Sequence, residues 1–309
     1  MRRLYVLALV AASVVTLPAQ DVRLPMKNGS VKFAVLGDTG TGDSHQQAVA
    51  TQLNNYRSKF QFPFVVMMGD NLYSGDRTKD YQKAFEVPYK PLLDAGVKFY
   101  ASLGNHDNPN QRLYKAFNMN GERYYTFKPG GPGSSVRFFA LDSNYVDDKQ
   151  LAWLDKELAA SGSDWKIMFF HHPLYSSGET HGSADQQREL LEPVFLKYGV
   201  NVVLSGHEHF YERIKPQKGV AYFIIGNSAK LRAGDLSKTN LTAKGWDQGY
   251  GFILMEVVDD DLFFQMISDK GETIDTGSIH RVGKTEPAPG RSSQPVQTGP
   301  TPPKPPASK

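Results

Sequence analysis

VKFAVLGD, residues 31–38, decides how the rest of the chain is read: an apolar stretch of strand length that stops on Gly-Asp. A turn-rich TGTGD follows, then a helical pattern near residues 44–58. FVVMMGDN (64–71) repeats the plan, with a helix predicted near 79–94, and VKFYASLGNHD (97–107) repeats it a third time. Strands alternating with helices predict an α/β sheet, and polar residues at each strand's C-terminal end mark the edge where such sheets hold ligands.

Further along come YYTF (124–127), VRFFALDSN (136–144), a predicted helix from about Asp147 to Ala160, and WKIMFFHHP (165–173). Ser183 with Gln186 reads as a capping box for a helix running towards Tyr198. NVVLSGHEH (201–209) is the next strand, and AYFIIGN and FILMEVVDDDLFFQMI read as antiparallel hairpin strands. The expected fold class is α/β, a two-sheet αββα sandwich with mixed sheets and its ligand site at the strand C-terminal ends. In LSGHEHFYER (204–213), residues i and i+2 of an extended segment share a face. His207 and His209 can therefore converge on one point while Glu208 aims away.

The chain has 309 residues, enough for one large domain or two small ones. Its formal charge of +3 is spread out rather than gathered in a stripe, so nucleic acid is not a favoured partner, whereas an anionic substrate is compatible. Zero cysteines exclude disulfides, thiolate ligands and cysteine nucleophiles, leaving His, Asp, Glu, Asn and Tyr for any metal site. No GxxxxGK[ST] loop is present.

At the N-terminus, Arg2 and Arg3 precede an apolar stretch from Leu4 to Leu17 and the small residue Ala19, the pattern of a secretory signal over residues 1–19. The expectation is a secreted or periplasmic protein with no stable membrane span after signal cleavage. A catalytic domain is expected over 28–283, and the Pro-, Ser- and Gly-rich remainder, 284–309, has the composition of a disordered tail.

The strand ends supply, in order, Asp38; Asp70, Asn71 and Tyr73; Asn105, His106 and Asp107; His171 and His172; and His207 and His209. Each has an ordinary explanation in turn chemistry, but their recurrence at successive strand ends points to a shared site. Oxygen and imidazole donors without thiolate suit one or two cations such as iron, zinc or manganese.

GDTG, GDNLY, GNHD, HHP and GHEH, in that order, resemble the motif set of the calcineurin-like metallophosphoesterases over about Val31 to Glu212. That superfamily usually opens on D-x-H, and Gly40 stands where its histidine would be. Tyr73, three residues after Asp70, is similar to the tyrosine of the purple acid phosphatases, and the short chain looks like their small tartrate-resistant members. The resemblance implies one metal held by Asp38, Asp70, Tyr73 and His209 and a second held by Asp70, Asn105, His171 and His207, with Asp70 bridging. It implies Fe(III) at the tyrosinate and Fe(II), Zn or Mn at the other position. His171 precedes Pro173 in the family pattern, which leaves His172 as its passenger or as a support behind the ligands; Met168 stands where the family has valine.

His106, and by position His181, correspond to the histidines beside the leaving group. Asp107 is expected either to orient His106 or to cap a turn. The implied activity is that of an exported acid phosphatase hydrolysing phosphate monoesters by attack of a metal-bound hydroxide, on a small phosphomonoester or a phosphoprotein. Phosphodiesters, or a non-catalytic phospholigand-binding role, are the alternatives.

Overall fold

The computed structural model describes residues 21–131 and 134–281. The expected signal segment and Pro-rich tail lie outside the described residues. Among these, no helix is long and apolar enough to cross a membrane.

In chain order the strands are β1 (Val31–Leu36), β2 (Phe64–Met68), β3 (Lys98–Ser102), β4 (Tyr125–Phe127), β5 (Val136–Ala140), β6 (Trp165–Phe169) and β7 (Val202–Ser205). There follow β8 (Tyr211–Gln217), β9 (Val220–Ile225), β10 (Thr242–Trp246), β11 (Gly251–Val258), β12 (Asp261–Ser268) and β13 (Thr273–His280). The helices are α1 (Ser44–Arg57), α2 (Thr78–Tyr81), α3 (Lys90–Asp94), α4 (Asp148–Ala159) and α5 (Asp185–Tyr198).

One sheet has the order β13-β12-β11-β1-β2-β3 and the other β10-β8-β9-β7-β6-β5-β4. In the first, β1, β2 and β3 run parallel while β11 joins β1 antiparallel; in the second, β5, β6, β7 and β9 run parallel. Strands buried on both faces read as continuous apolar runs, as FVVMM of β2 does.

The two sheets face each other across an aromatic core. Phe33 and Phe64 of the first meet Phe138 of the second edge-on at 5.0 and 5.4 Å, and Phe223 meets Phe264 at 5.0 Å. Val49, Leu53 and Tyr56 of α1 join that core from the first sheet's outer side. Leu154 and Leu158 of α4, with Leu191 and Phe195 of α5, pack on Phe139, Met168 and Val203 of the second. The architecture is the mixed αββα sandwich expected, and Met168 fills an apolar position there.

Four details differ from the expectation. The helix near 79–94 is interrupted into α2, a π-turn over Gln82–Glu86 and α3. Pro88 and Pro91 lie in this stretch and can donate no helical hydrogen bond. The capping box does not form: α5 starts after Ala184 without a side-chain cap, and Ser183 Oγ instead accepts from Ser176 N at 3.0 Å. β8, β10 and β13 were not anticipated, because charge and Pro216 mask β8 while β10 and the edge strand β13 bury few residues. Packing also begins ahead of residue 28. Leu24 is buried, Met26 N and Lys27 N donate to the buried Glu256 carboxylate at 2.8 and 2.7 Å, and Arg23 N donates to Gln265.

Candidate metal centre

The parallel strands of both sheets end at the same edge, which carries Asp38 after β1, Asp70 after β2, Asn105 after β3, His171 after β6, and His207 and His209 after β7. Asp38, Asp70 and His207 have φ of 55°, 50° and 69°. Non-glycine residues in that region cost about 1–3 kcal/mol each and persist where surrounding contacts fix them. Here His207 N donates to Asp38 Oδ2 at 2.8 Å, His106 N to Asp70 Oδ1 at 3.0 Å, and Asp38 N to the Gly69 carbonyl at 3.2 Å. Gly104 permits this approach, since a Cβ there would lie 2.2 Å from Asp70 Oδ1.

His171 Nδ1 lies 2.9 Å from the Met68 carbonyl oxygen, which can only accept. The ring proton therefore sits on Nδ1 and the Nε2 lone pair is presented to the site. That lone pair faces Asn105 Oδ1 at 2.8 Å and Asp70 Oδ1 at 3.5 Å, both acceptors. His207 Nδ1 is 3.1 Å from both His171 Nε2 and Asn105 Oδ1. Four donor atoms converge with at most one proton among them, on His207, an arrangement that a cation satisfies and hydrogen bonding does not. Asp38, Asp70 and His171 also bring one ligand atom each within 4.8 Å of one another.

On the other side, the Tyr73 hydroxyl donates to Asp38 Oδ1 at 3.1 Å, and His209 Nε2 lies 3.5 Å from the same oxygen. Burial, then the Asp38 and Asp70 charges, push the Tyr73 phenol far above its ordinary range, so its ionisation requires a strongly charged cation. Burial, with Asp70 next, also pushes Asp38 up. Burial holds His171 well below the usual imidazole range. It brings His207 down to about 2, with the His171 and His172 rings adding to it, and His209 to about 4, with Arg232 and Lys230 adding to it. These three imidazoles stay neutral, the form that binds metals, in mildly acidic solution.

Gly40 and Tyr73 belong to one device. A Cβ on Gly40 would lie 2.3 Å from the Asn71 carbonyl carbon and oxygen, so this backbone excludes a histidine there. Gly40 N donates to the Asp70 carbonyl at 3.1 Å and Tyr73 N to the Gly40 carbonyl at 2.9 Å, which carries the tyrosine over Asp38 instead.

His106 is exposed at the mouth, its ring 5.1 Å from that of Tyr73, and the His181 ring lies 4.2 Å from that of His207. Asp107 faces away from both. Its carboxylate accepts from Leu72 N and Gln111 Nε2 at 3.0 Å, Asn71 Nδ2 at 2.9 Å and Gly104 N at 2.8 Å, so it caps the two ligand loops rather than orienting the His106 ring. Asp107→Ala strands four buried donors and is expected to destabilise the fold by about 3 kcal/mol or more. Urea unfolding of wild type and variant measures it; a change under about 1 kcal/mol contradicts the assignment.

His172 is no passenger, because its ring stands 4.5 Å from that of His207 and 5.0 Å from that of His171. Ser143 accepts from His172 N at 3.0 Å and meets Nδ1 at 2.9 Å, which fixes the ring against the site. Glu208, fully buried between the two ligand histidines, aims away as expected. Its Oε1 accepts from Gly182 N at 2.7 Å and Ser176 Oγ at 3.1 Å, tying down the loop that carries His181.

Sequence reasoning missed Arg232 and Lys230. Arg232 lies 4.0 Å from Glu208 and 3.3 Å from His181, and Lys230 Nζ sits 4.5 Å from the Tyr73 ring centre. Neither lies in a motif; only their place in the loop after β9 brings them here.

A family model for calcineurin-like phosphoesterases matches residues 31–211. The chain belongs to that family. Its members' chemistry makes it a hydrolase of phosphoric ester bonds. Purple acid phosphatase 17 of Arabidopsis thaliana is 26% identical over 252 residues, spanning 70% of this chain and 74% of that protein. Tartrate-resistant acid phosphatase type 5 of Oryctolagus cuniculus is 26% identical over 245 residues, 66% of this chain and 75% of that one. Within the family the chain is thus similar to the purple acid phosphatases. Among solved structures, GAP50, the anchor in the inner membrane complex of Plasmodium, shares the fold with a TM-score of 0.73 at 22% identity, over 83% of this chain and 90% of that one.

Proposed function

We propose that this phosphoesterase is an exported dinuclear-metal acid phosphatase acting on phosphate monoesters. The observation that carries the reading is the convergence of the His171, His207 and Asn105 donor atoms on Asp70, with Tyr73 and His209 on Asp38 beside it. Asp38, Asp70, Tyr73 and His209 would hold Fe(III), and Asp70, Asn105, His171 and His207 would hold Fe(II), zinc or manganese, with Asp70 shared. Bound there, the cations supply Lewis acidity, which makes water a stronger acid and offsets phosphate charge.

The chain's own residues do the rest. His106 and His181, at the mouth, present N–H groups to phosphate oxygens and can protonate the departing alkoxide. The tied-down ligand loops keep that charge arrangement fixed, which is the main demand of phosphoryl transfer. The basic-then-apolar stretch from Arg2 to Leu17 supports export, to the medium or a periplasm. A small phosphomonoester or a phosphoprotein is the substrate class that the tartrate-resistant relatives suggest.

The test compares turnover of an aryl phosphate with that of a bis-aryl phosphate by the metal-loaded protein. A kcat/KM at least about tenfold higher for the monoester is expected, a 1.4 kcal/mol preference in the transition state. Higher turnover of the diester would make the protein a phosphodiesterase. Tight phosphate binding without turnover of either would make it a phospholigand-binding protein.

A further inference from the structure

Beside the metal centre, a cleft of about 560 Å³ opens from Asn105 and His172 and is walled by Pro109, Arg123, Tyr145 and Gln187. The β5–α4 loop that forms its outer wall is held rigidly. Gln150 Nε2 donates to the Asp142 and Tyr145 carbonyls at 3.0 and 3.1 Å, and Asn144 Nδ2 donates to the Leu103 and Gly104 carbonyls at 3.3 Å. Held by such a backbone, the Tyr145 ring is nonetheless 66% exposed, a large flat apolar surface with nothing packed on most of it.

The charge of this flank is already balanced. Arg123 pairs with Asp142 at 3.0 Å and Asp147 at 3.3 Å, leaving little attraction for a second anionic group. The opposite flank differs, since Lys230 and Arg232 stand near Tyr73 and His181 there. A rigid exposed ring, a neutral polar rim and direct continuity with a proposed metal ligand define a subsite for an uncharged planar group attached to the phosphate.

We propose that this cleft receives the organic part of the substrate, and that the group it selects is an aromatic ring bonded directly to the phosphate oxygen, stacked on Tyr145. The assignment rests on the reading of the metal centre as a phosphate site. Stacking on a protein aromatic ring is worth about tenfold or more in affinity.

Binding of phenylphosphonate and methylphosphonate to the metal-loaded protein, measured by titration calorimetry, separates the ring's contribution from catalysis. Wild type is expected to bind the phenyl compound about tenfold more tightly, Tyr145→Phe to keep that preference, and Tyr145→Ala to lose it. A wild type without preference, or an alanine variant that retains it, overturns the assignment. Failure to bind either phosphonate overturns it together with the metal-site reading. A ring preference that depends on Tyr145, in a protein that turns over no aryl phosphate, upholds the cleft and overturns the monoesterase reading.

Discussion

Asp70→Asn is expected to lower kcat/KM for an aryl phosphate by roughly a hundredfold to a thousandfold and to reduce the metal content of the purified protein. Asparagine tolerates the left-handed backbone that residue 70 adopts and keeps its size, so the change removes charge rather than shape. Asp70 is the carboxylate common to both halves of the centre. Its Oδ1 lies 3.5 Å from His171 Nε2, and its charge acts on Asp38 and Tyr73. In metal-free protein the same substitution relieves a buried repulsion on Asp38. The metal-free variant should therefore melt no lower than metal-free wild type while losing much of the rise in Tm that metal gives. Full activity with full metal content would remove Asp70 from the bridging role.

The second large effect falls on His106→Ala. A general acid matters in proportion to the basicity of the group that leaves, so the loss depends on the substrate. For an alkyl phosphate, kcat should fall about a hundredfold or more; for a nitrophenyl phosphate, whose leaving group needs little help, the fall should be about tenfold or less. His106 N contributes a main-chain bond to Asp70 that alanine retains, so the metal content should not change. Equal losses for both substrates would assign His106 to phosphate binding alone.

The sequence revealed the sandwich wherever hydrophobic periodicity was clean. β1, β2, β3, β5, β6 and β7 all end where an apolar run meets Gly, Asp, Asn or His, and those ends hold every proposed metal ligand except Tyr73, which lies three residues beyond Asp70. β8 and β13 were obscured by charge, Pro216 and an exposed edge, since a strand paired mainly through its backbone leaves a weak side-chain signature. The site's ligand types were legible for a related reason: a glycine or a left-handed residue is needed where two loops approach within bonding distance, and such residues stand out in sequence. Its walls were not. Arg232, Lys230 and Tyr145 reach the centre only through tertiary folding of loops without periodicity, and Asp107's true partners, Asn71, Leu72, Gly104 and Gln111, come from two different strand ends. His172 was set aside because a pattern two residues before proline can name only one histidine, while the Ser143 anchor that turns its ring inward lies 29 residues earlier in the chain.

The most direct test of the account is the visible absorption and metal analysis of the purified, oxidised protein beside Tyr73→Phe. Burial and the Asp38 and Asp70 charges keep the Tyr73 phenol protonated unless a strongly charged ion binds it, so a tyrosinate-to-iron band reports that one contact. The account predicts iron in the wild-type protein and a visible band that vanishes in the phenylalanine variant. An active, metal-loaded protein without iron or colour, or a band unchanged by Tyr73→Phe, would contradict it.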